Sequence, residues 1–74
     1  NNLEVVLYPN PVRDILNIEI ENDIQSIEIY NIQGQKVLTS NQKQINVSGL
    51  ATGMYVVRIQ DAENNISTKK IVIK

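Results

Sequence analysis

The chemistry open to this chain is limited first by what it lacks. Its 74 residues include no cysteine and no histidine. That removes disulfides, thiolate nucleophiles, most zinc sites and the usual general base. Carboxylates are left. Glu19 and Glu21 stand two apart in the run Leu16-Asn17-Ile18-Glu19-Ile20-Glu21. On a strand they share a face roughly 6.6 Å apart, within reach of paired-carboxylate hydrolysis. Such a pair needs a neighbour that tunes one carboxyl against the other, and the flanking residues supply none, so a solvated face is the simpler reading. The loop Asp61-Ala62-Glu63-Asn64-Asn65 gathers oxygen ligands of the kind calcium takes, but it lacks the glycine and distal glutamate of an EF-hand. It reads as a polar hairpin.

Other signals are equally thin. Asn46-Val47-Ser48 and Asn65-Ile66-Ser67 fit the glycosylation pattern, as chance allows in a chain with ten asparagines. Tyr8, Tyr30 and Tyr55 are the only aromatics, and single tyrosines suit the core or corners of a β-sandwich. A net charge of −1 without basic–aromatic interleaving argues against nucleic acid. The sequence therefore predicts no catalytic residue, no metal ligand, no cofactor and no small-molecule substrate.

The basic residues are distributed unevenly. Glu19, Glu21, Asp23 and Glu28 make the early part acidic, and Lys69, Lys70 and Lys74 make the end basic. Lys70 and Lys74 are four apart, so a strand aims them the same way about 13 Å apart, with Val72 between them and Lys69 on the other side. Lysines on an edge strand discourage edge-to-edge pairing. A partner that reads the end of the chain is the competing explanation.

The elements that carry these residues are strands. Isoleucine occurs twelve times and valine eight, against two alanines. β-Branched side chains lose freedom in helices and pack well on pleated sheets. Apolar residues alternate at Leu16, Ile18 and Ile20, at Ile27 and Ile29, at Tyr55, Val57 and Ile59, and at Ile71 and Ile73. Pro9-Asn10-Pro11 removes two backbone donors and cannot lie inside a central strand. Gln33-Gly34-Gln35 reads as a hairpin, and Ser48-Gly49 and Thr52-Gly53 punctuate the later stretch. The expected strands are Leu3–Leu7, Ile15–Glu21, Ile27–Asn31, Lys36–Thr39, Gln44–Val47, Met54–Gln60 and Ser67–Ile73. About seven short strands predict an all-β, compact immunoglobulin-like antiparallel β-sandwich, with residues 1–74 as one domain. The start, Asn1-Asn2-Leu3, reads as a piece cut from a longer precursor.

Four stretches in order carry a resemblance. "YPNP" spans Tyr8–Pro11, "IEIYNIQGQKV" spans Ile27–Val37, "INVSGLATGMYVVRI" spans Ile45–Ile59, and "KKIVIK" ends at Lys74. Together they resemble the C-terminal sorting domain of proteins exported by the type IX secretion system of Bacteroidota. The resemblance implies a non-enzymatic signal, fused behind an N-terminal cargo, that folds in the periplasm in transit to the cell surface or beyond. It implies two partners, the outer-membrane translocon and a sortase-like peptidase that removes the domain. It places translocon recognition on Lys69, Lys70, Val72 and Lys74, and structural motif roles on Pro9, Asn10, Pro11, Gly34, Gly53 and Tyr55. The family often has proline where this chain has Ala51, which should loosen that turn. The alternative is an immunoglobulin-like binding or spacer module for a carbohydrate or protein partner, thinly supported by three tyrosines and one acidic loop.

Overall fold

Alternation along each strand decides which side chains meet. In the computed structural model, which describes residues 5–74, β1 is Val5–Tyr8, β2 Ile15–Ile20, β3 Ile24–Asn31 and β4 Lys36–Ser40. β5 is Gln44–Asn46, β6 Gly53–Asp61 and β7 Ile66–Ile73. Every expected strand is present. The expected start of the first, at Leu3, lies outside the described residues. β3 begins earlier than its alternation suggested, because Ile24 pairs with Asp61 across an irregularity in the ladder and packs against the core. β2 stops at Ile20, where a bend at Glu21 begins the passage to the other sheet.

The strands form two antiparallel sheets in the orders β1-β2-β5 and β4-β3-β6-β7. The chain changes sheet between β2 and β3, β4 and β5, and β5 and β6, so the core is built from residues distant in sequence. Leu16, Ile18, Ile20 and Ile45 from the first sheet meet Ile27, Ile29, Val57, Ile59, Ile71 and Ile73 from the second. The alternating inner positions fill this layer, and the 17 Å short axis matches two sheets about 10 Å apart with their outward side chains. The all-β sandwich expected from sequence is the observed architecture.

Two hairpins of the four-stranded sheet use the same turn chemistry. In β3–β4, the Asn31 side-chain oxygen accepts from the backbone N–H of Gln33 at 2.9 Å and of Gln35 at 3.0 Å. In β6–β7, an Asp61 carboxylate oxygen accepts from Glu63 at 2.9 Å and Asn65 at 2.8 Å. Each turn then needs a left-handed residue in its fourth position. Gly34 takes it with φ 85°, and Asn64 takes it with φ 66°. Glycine has no Cβ to clash there, and asparagine is the side chain that tolerates the conformation best. The hairpin read at Gln33-Gly34-Gln35 is present, and its loop is Ile32–Gln35.

β7 is an edge strand, and part of its outer edge is covered. After β1 the chain passes through Pro9-Asn10-Pro11, both prolines following cis peptide bonds, and leaves its first sheet. Val12 then bridges in parallel to Ile73 of the second. Val12 N–H donates to the Val72 carbonyl at 2.8 Å, and Lys74 N–H donates to the Val12 carbonyl at 2.9 Å. The Asn10 side-chain oxygen accepts from Val72 N–H at 3.1 Å. The motif that sequence marked as a strand breaker therefore closes the end of the C-terminal strand.

Candidate sorting surface

The C-terminal strand separates its residues by parity. Ile71 and Ile73 are 1% and 2% exposed and belong to the core. Lys70 is exposed, Val72 is half-buried and Lys74 is exposed, all on the opposite side. Lys69 has the parity of Ile71 and Ile73 but is exposed, so the facing sheet does not cover it. The four residues singled out by sequence thus split into a set of three on the outer face and Lys69 apart. Among the described residues, no carboxylate lies within ion-pair distance of Lys69, Lys70 or Lys74.

The β-ladders extend the outer face beyond β7. Lys70 stands opposite Val56 and Val72 opposite Met54. Val56 stands opposite Tyr30, and Tyr30 opposite Lys36. One neighbouring row runs Thr68, Arg58, Glu28, Thr39. Glu28 is held within it by Arg58 at 2.9 Å and Lys36 at 3.4 Å, and the Tyr30 hydroxyl donates to it at 3.1 Å. The bond from Arg58, then that from Tyr30, keeps the Glu28 carboxyl below its ordinary pKa, against a smaller desolvation effect. Nothing in the sequence pattern singled out Met54, Val56 or Tyr30, because their relation to Lys70 depends on strand order.

The structural motif residues each have a local role. Gly53 opens β6 with φ 152°, a conformation other residues rarely adopt. Tyr55 is 7% exposed, and its hydroxyl donates to the Ala51 carbonyl at 2.7 Å. This is the tyrosine corner of immunoglobulin-like sandwiches, in which a tyrosine near the start of a strand bonds backbone a few residues upstream. The bond holds the turn at Ala51. Tyr8 and Tyr30, by contrast, are not core residues: Tyr8 is exposed on the three-stranded sheet and Tyr30 half-buried on the four-stranded one.

The weaker candidates have structural explanations. Glu19 and Glu21 are exposed beside a shallow depression they share with Val6 and Ile20, and Glu21 lies beyond the end of β2. Asp61 is fully buried, with Asn22 donating at 2.7 Å, the Asn65 side chain at 3.0 Å and two backbone N–H groups completing its shell. Both carboxylate oxygens face hydrogen-bond donors, which calcium would have to displace. No group of three potential metal ligands occurs among the described residues. Asn65 of the second glycosylation match is tied into this same shell, and the Asn46 side-chain oxygen accepts from Ser48 N–H and hydroxyl.

The Asp61 shell has a pH signature. Desolvation raises its pKa, but the bonds from Asn22, Asn65 and Glu63 together outweigh it and leave the pKa lowered. A carboxyl whose pKa is depressed on folding stabilises the fold above its unfolded value of about 3.9, and that stability is lost as pH falls through the folded value. Thermal unfolding followed from pH 7 down to pH 2 should therefore show a steep acid limb below about pH 4. Asp61→Asn should lower the melting temperature at pH 7, because its amide turns a donor toward the donors of Asn22 and Asn65. It should also flatten the acid limb. Parallel acid limbs in the two proteins would show that Asp61 does not supply the linkage.

Residues 6–74 match the family described as secretion system C-terminal sorting domain. The chain is 35% identical over 69 residues to beta-agarase D of Zobellia galactanivorans, an alignment covering 90% of this chain and 14% of that protein. It is 27% identical over 75 residues to ulvan lyase NLR42 of Nonlabens ulvanivorans, covering 93% of this chain and again 14% of the relative. The chain thus belongs to the C-terminal sorting domains of the type IX secretion system, a β-sandwich signal found as a small part of larger secreted enzymes.

Proposed function

We propose that this domain directs a covalently fused N-terminal cargo through the type IX translocon, and that the translocon reads the outer face of β7 at Lys70, Val72 and Lys74. The domain folds in the periplasm, performs no catalysis itself, and is removed at the surface by a sortase-like peptidase. The observation that carries this reading is the division of labour along β7. The ladder that buries Ile71 and Ile73 turns Lys70 and Val72 outward, exposed Lys74 follows the last residue of the strand, and neither lysine has a carboxylate partner among the described residues. Edge protection alone would not require a half-buried valine between the two cations.

The test fuses residues 1–74 to a periplasmic reporter in a host that has the translocon. The wild-type fusion should reach the medium or cell surface. A Lys70→Glu/Lys74→Glu fusion should stay in the periplasm with an unchanged melting temperature, because both side chains are exposed. A wild-type fusion that is folded, stable and retained would refute the sorting role. Normal export of the double variant would return the lysines to edge protection.

A further inference from the structure

We infer that the docking surface extends across the whole outer face of the four-stranded sheet and fits a protein partner presenting apolar surface rimmed by carboxylates. This rests on the sorting role proposed above and adds to it the floor of the site and the chemistry of the partner. The ladder Lys36–Tyr30–Val56–Lys70 crosses all four strands of that sheet. Three interstrand steps separate its two lysines by about 14 Å. Lys74, one residue past β7, lies four residues from Lys70, about 13 Å along an extended chain. The three cations therefore mark the corners of a patch: Tyr30 and Val56 lie along one side of it, Val72 along another, and Met54, opposite Val72, lies inside.

The residues between the cations are apolar without being part of the core. Met54 is 51% exposed, and Tyr30, Val56 and Val72 are half-buried. The face carries four cationic side chains, Lys36, Arg58, Lys70 and Lys74, against the single carboxylate of Glu28. That balance is positive in a chain whose net charge is −1. The outer face of the opposite sheet presents Glu19 and no lysine or arginine on its strands. An apolar centre with a charged rim is the anatomy of a protein interface, and the sign of this rim selects an acidic partner.

The test uses residues 1–74 in the same reporter fusion, with changes placed off β7. Met54→Glu and Lys36→Glu should each reduce export about tenfold or more, the scale of an interface anchor. Lys36→Arg should retain export, and Lys43→Glu, in the loop before β5, should leave it unchanged. Met54→Ser provides a second floor variant if Met54→Glu lowers the melting temperature. Free wild-type domain, overproduced in the periplasm, should compete with the fusion for export, and the Met54→Glu domain should not. Vesicles containing anionic phospholipid or lipopolysaccharide should bind neither protein. Full export of folded Met54→Glu and Lys36→Glu fusions, alongside loss with Lys70→Glu/Lys74→Glu, would overturn the wider surface and leave the β7 reading intact. A retained wild-type fusion would overturn both. Vesicle binding that Met54→Glu abolishes would assign the face to a membrane and overturn the protein partner.

Discussion

Removing Lys70–Lys74 is expected to unfold the domain, so the loss of export that follows would say nothing about recognition. The segment contains Ile71 and Ile73, both fully enclosed by the facing sheet. Deleting the side chain of one buried isoleucine costs about 2–5 kcal/mol. Domains of this size have a net stability near the low end of about 5–15 kcal/mol. The deletion also removes the Val72 carbonyl and Lys74 N–H that pair with Val12, and the Val72 N–H that Asn10 accepts. Circular dichroism of the truncated domain should show no cooperative melt above room temperature. A cooperative transition within a few degrees of wild type would show that β7 contributes less than its burial implies. The physical reason for the confusion is geometric: in one strand, alternate residues belong to the core and to the surface. Only the substitutions at Lys70 and Lys74 separate the two roles.

Substituting Tyr55 should have the second largest effect, and two variants separate its causes. Tyr55→Ala empties a buried site and should cost about 3–5 kcal/mol, enough to leave much of the protein unfolded at growth temperature. Tyr55→Phe keeps the ring and loses only the 2.7 Å bond to the Ala51 carbonyl. That bond is worth about 1 kcal/mol net, and each kcal/mol moves the melting temperature of a domain this small by about 4–8 °C. Differential scanning calorimetry of the three proteins measures both quantities. If Tyr55→Phe melts with wild type, the turn at Ala51 is held by Gly53 and the ladder without help from the hydroxyl. The corner matters here because the preceding Thr52 and Gly53 deliver the chain into β6, the strand that carries Met54 and Val56 to the outer face.

Much of this was legible before the structure. The period of two at Leu16–Ile20, Tyr55–Ile59 and Ile71–Ile73 named the inner residues, because a strand in a sandwich has only two faces. The same rule placed Lys70, Val72 and Lys74 together and Lys69 apart. Gly34 marked its hairpin, since the left-handed position leaves little choice of residue. The equivalent position at Asn64 was hidden in a run of polar residues that also looked like calcium ligands. The polar hairpin read at Asp61–Asn65 is present, but the burial of Asp61 is not legible, since a buried, fully bonded carboxylate and a solvated one have the same letter. Tyrosines as a class suggest the core or corners of a sandwich, but the alternation of Tyr30 with Ile27 and Ile29 points it outward, and the ladder puts it on that outer face.

The order of residues is enough to show that the chain is all-β, which alternate positions along its strands face inward, and which family it resembles. These are local properties, set by alternation, turn chemistry and a few motifs in order. Strand order could not be read in that way, because β-pairing joins residues far apart in the chain. Only the tertiary structure set Val56 between Tyr30 and Lys70, and only it brought Asn10 and Val12 against the end of β7. The strand-breaking Pro9-Asn10-Pro11 and the basic C-terminal strand are separate signals in sequence. The fold makes them one edge because the chain leaves its first sheet at the prolines and is paired to the second at Val12.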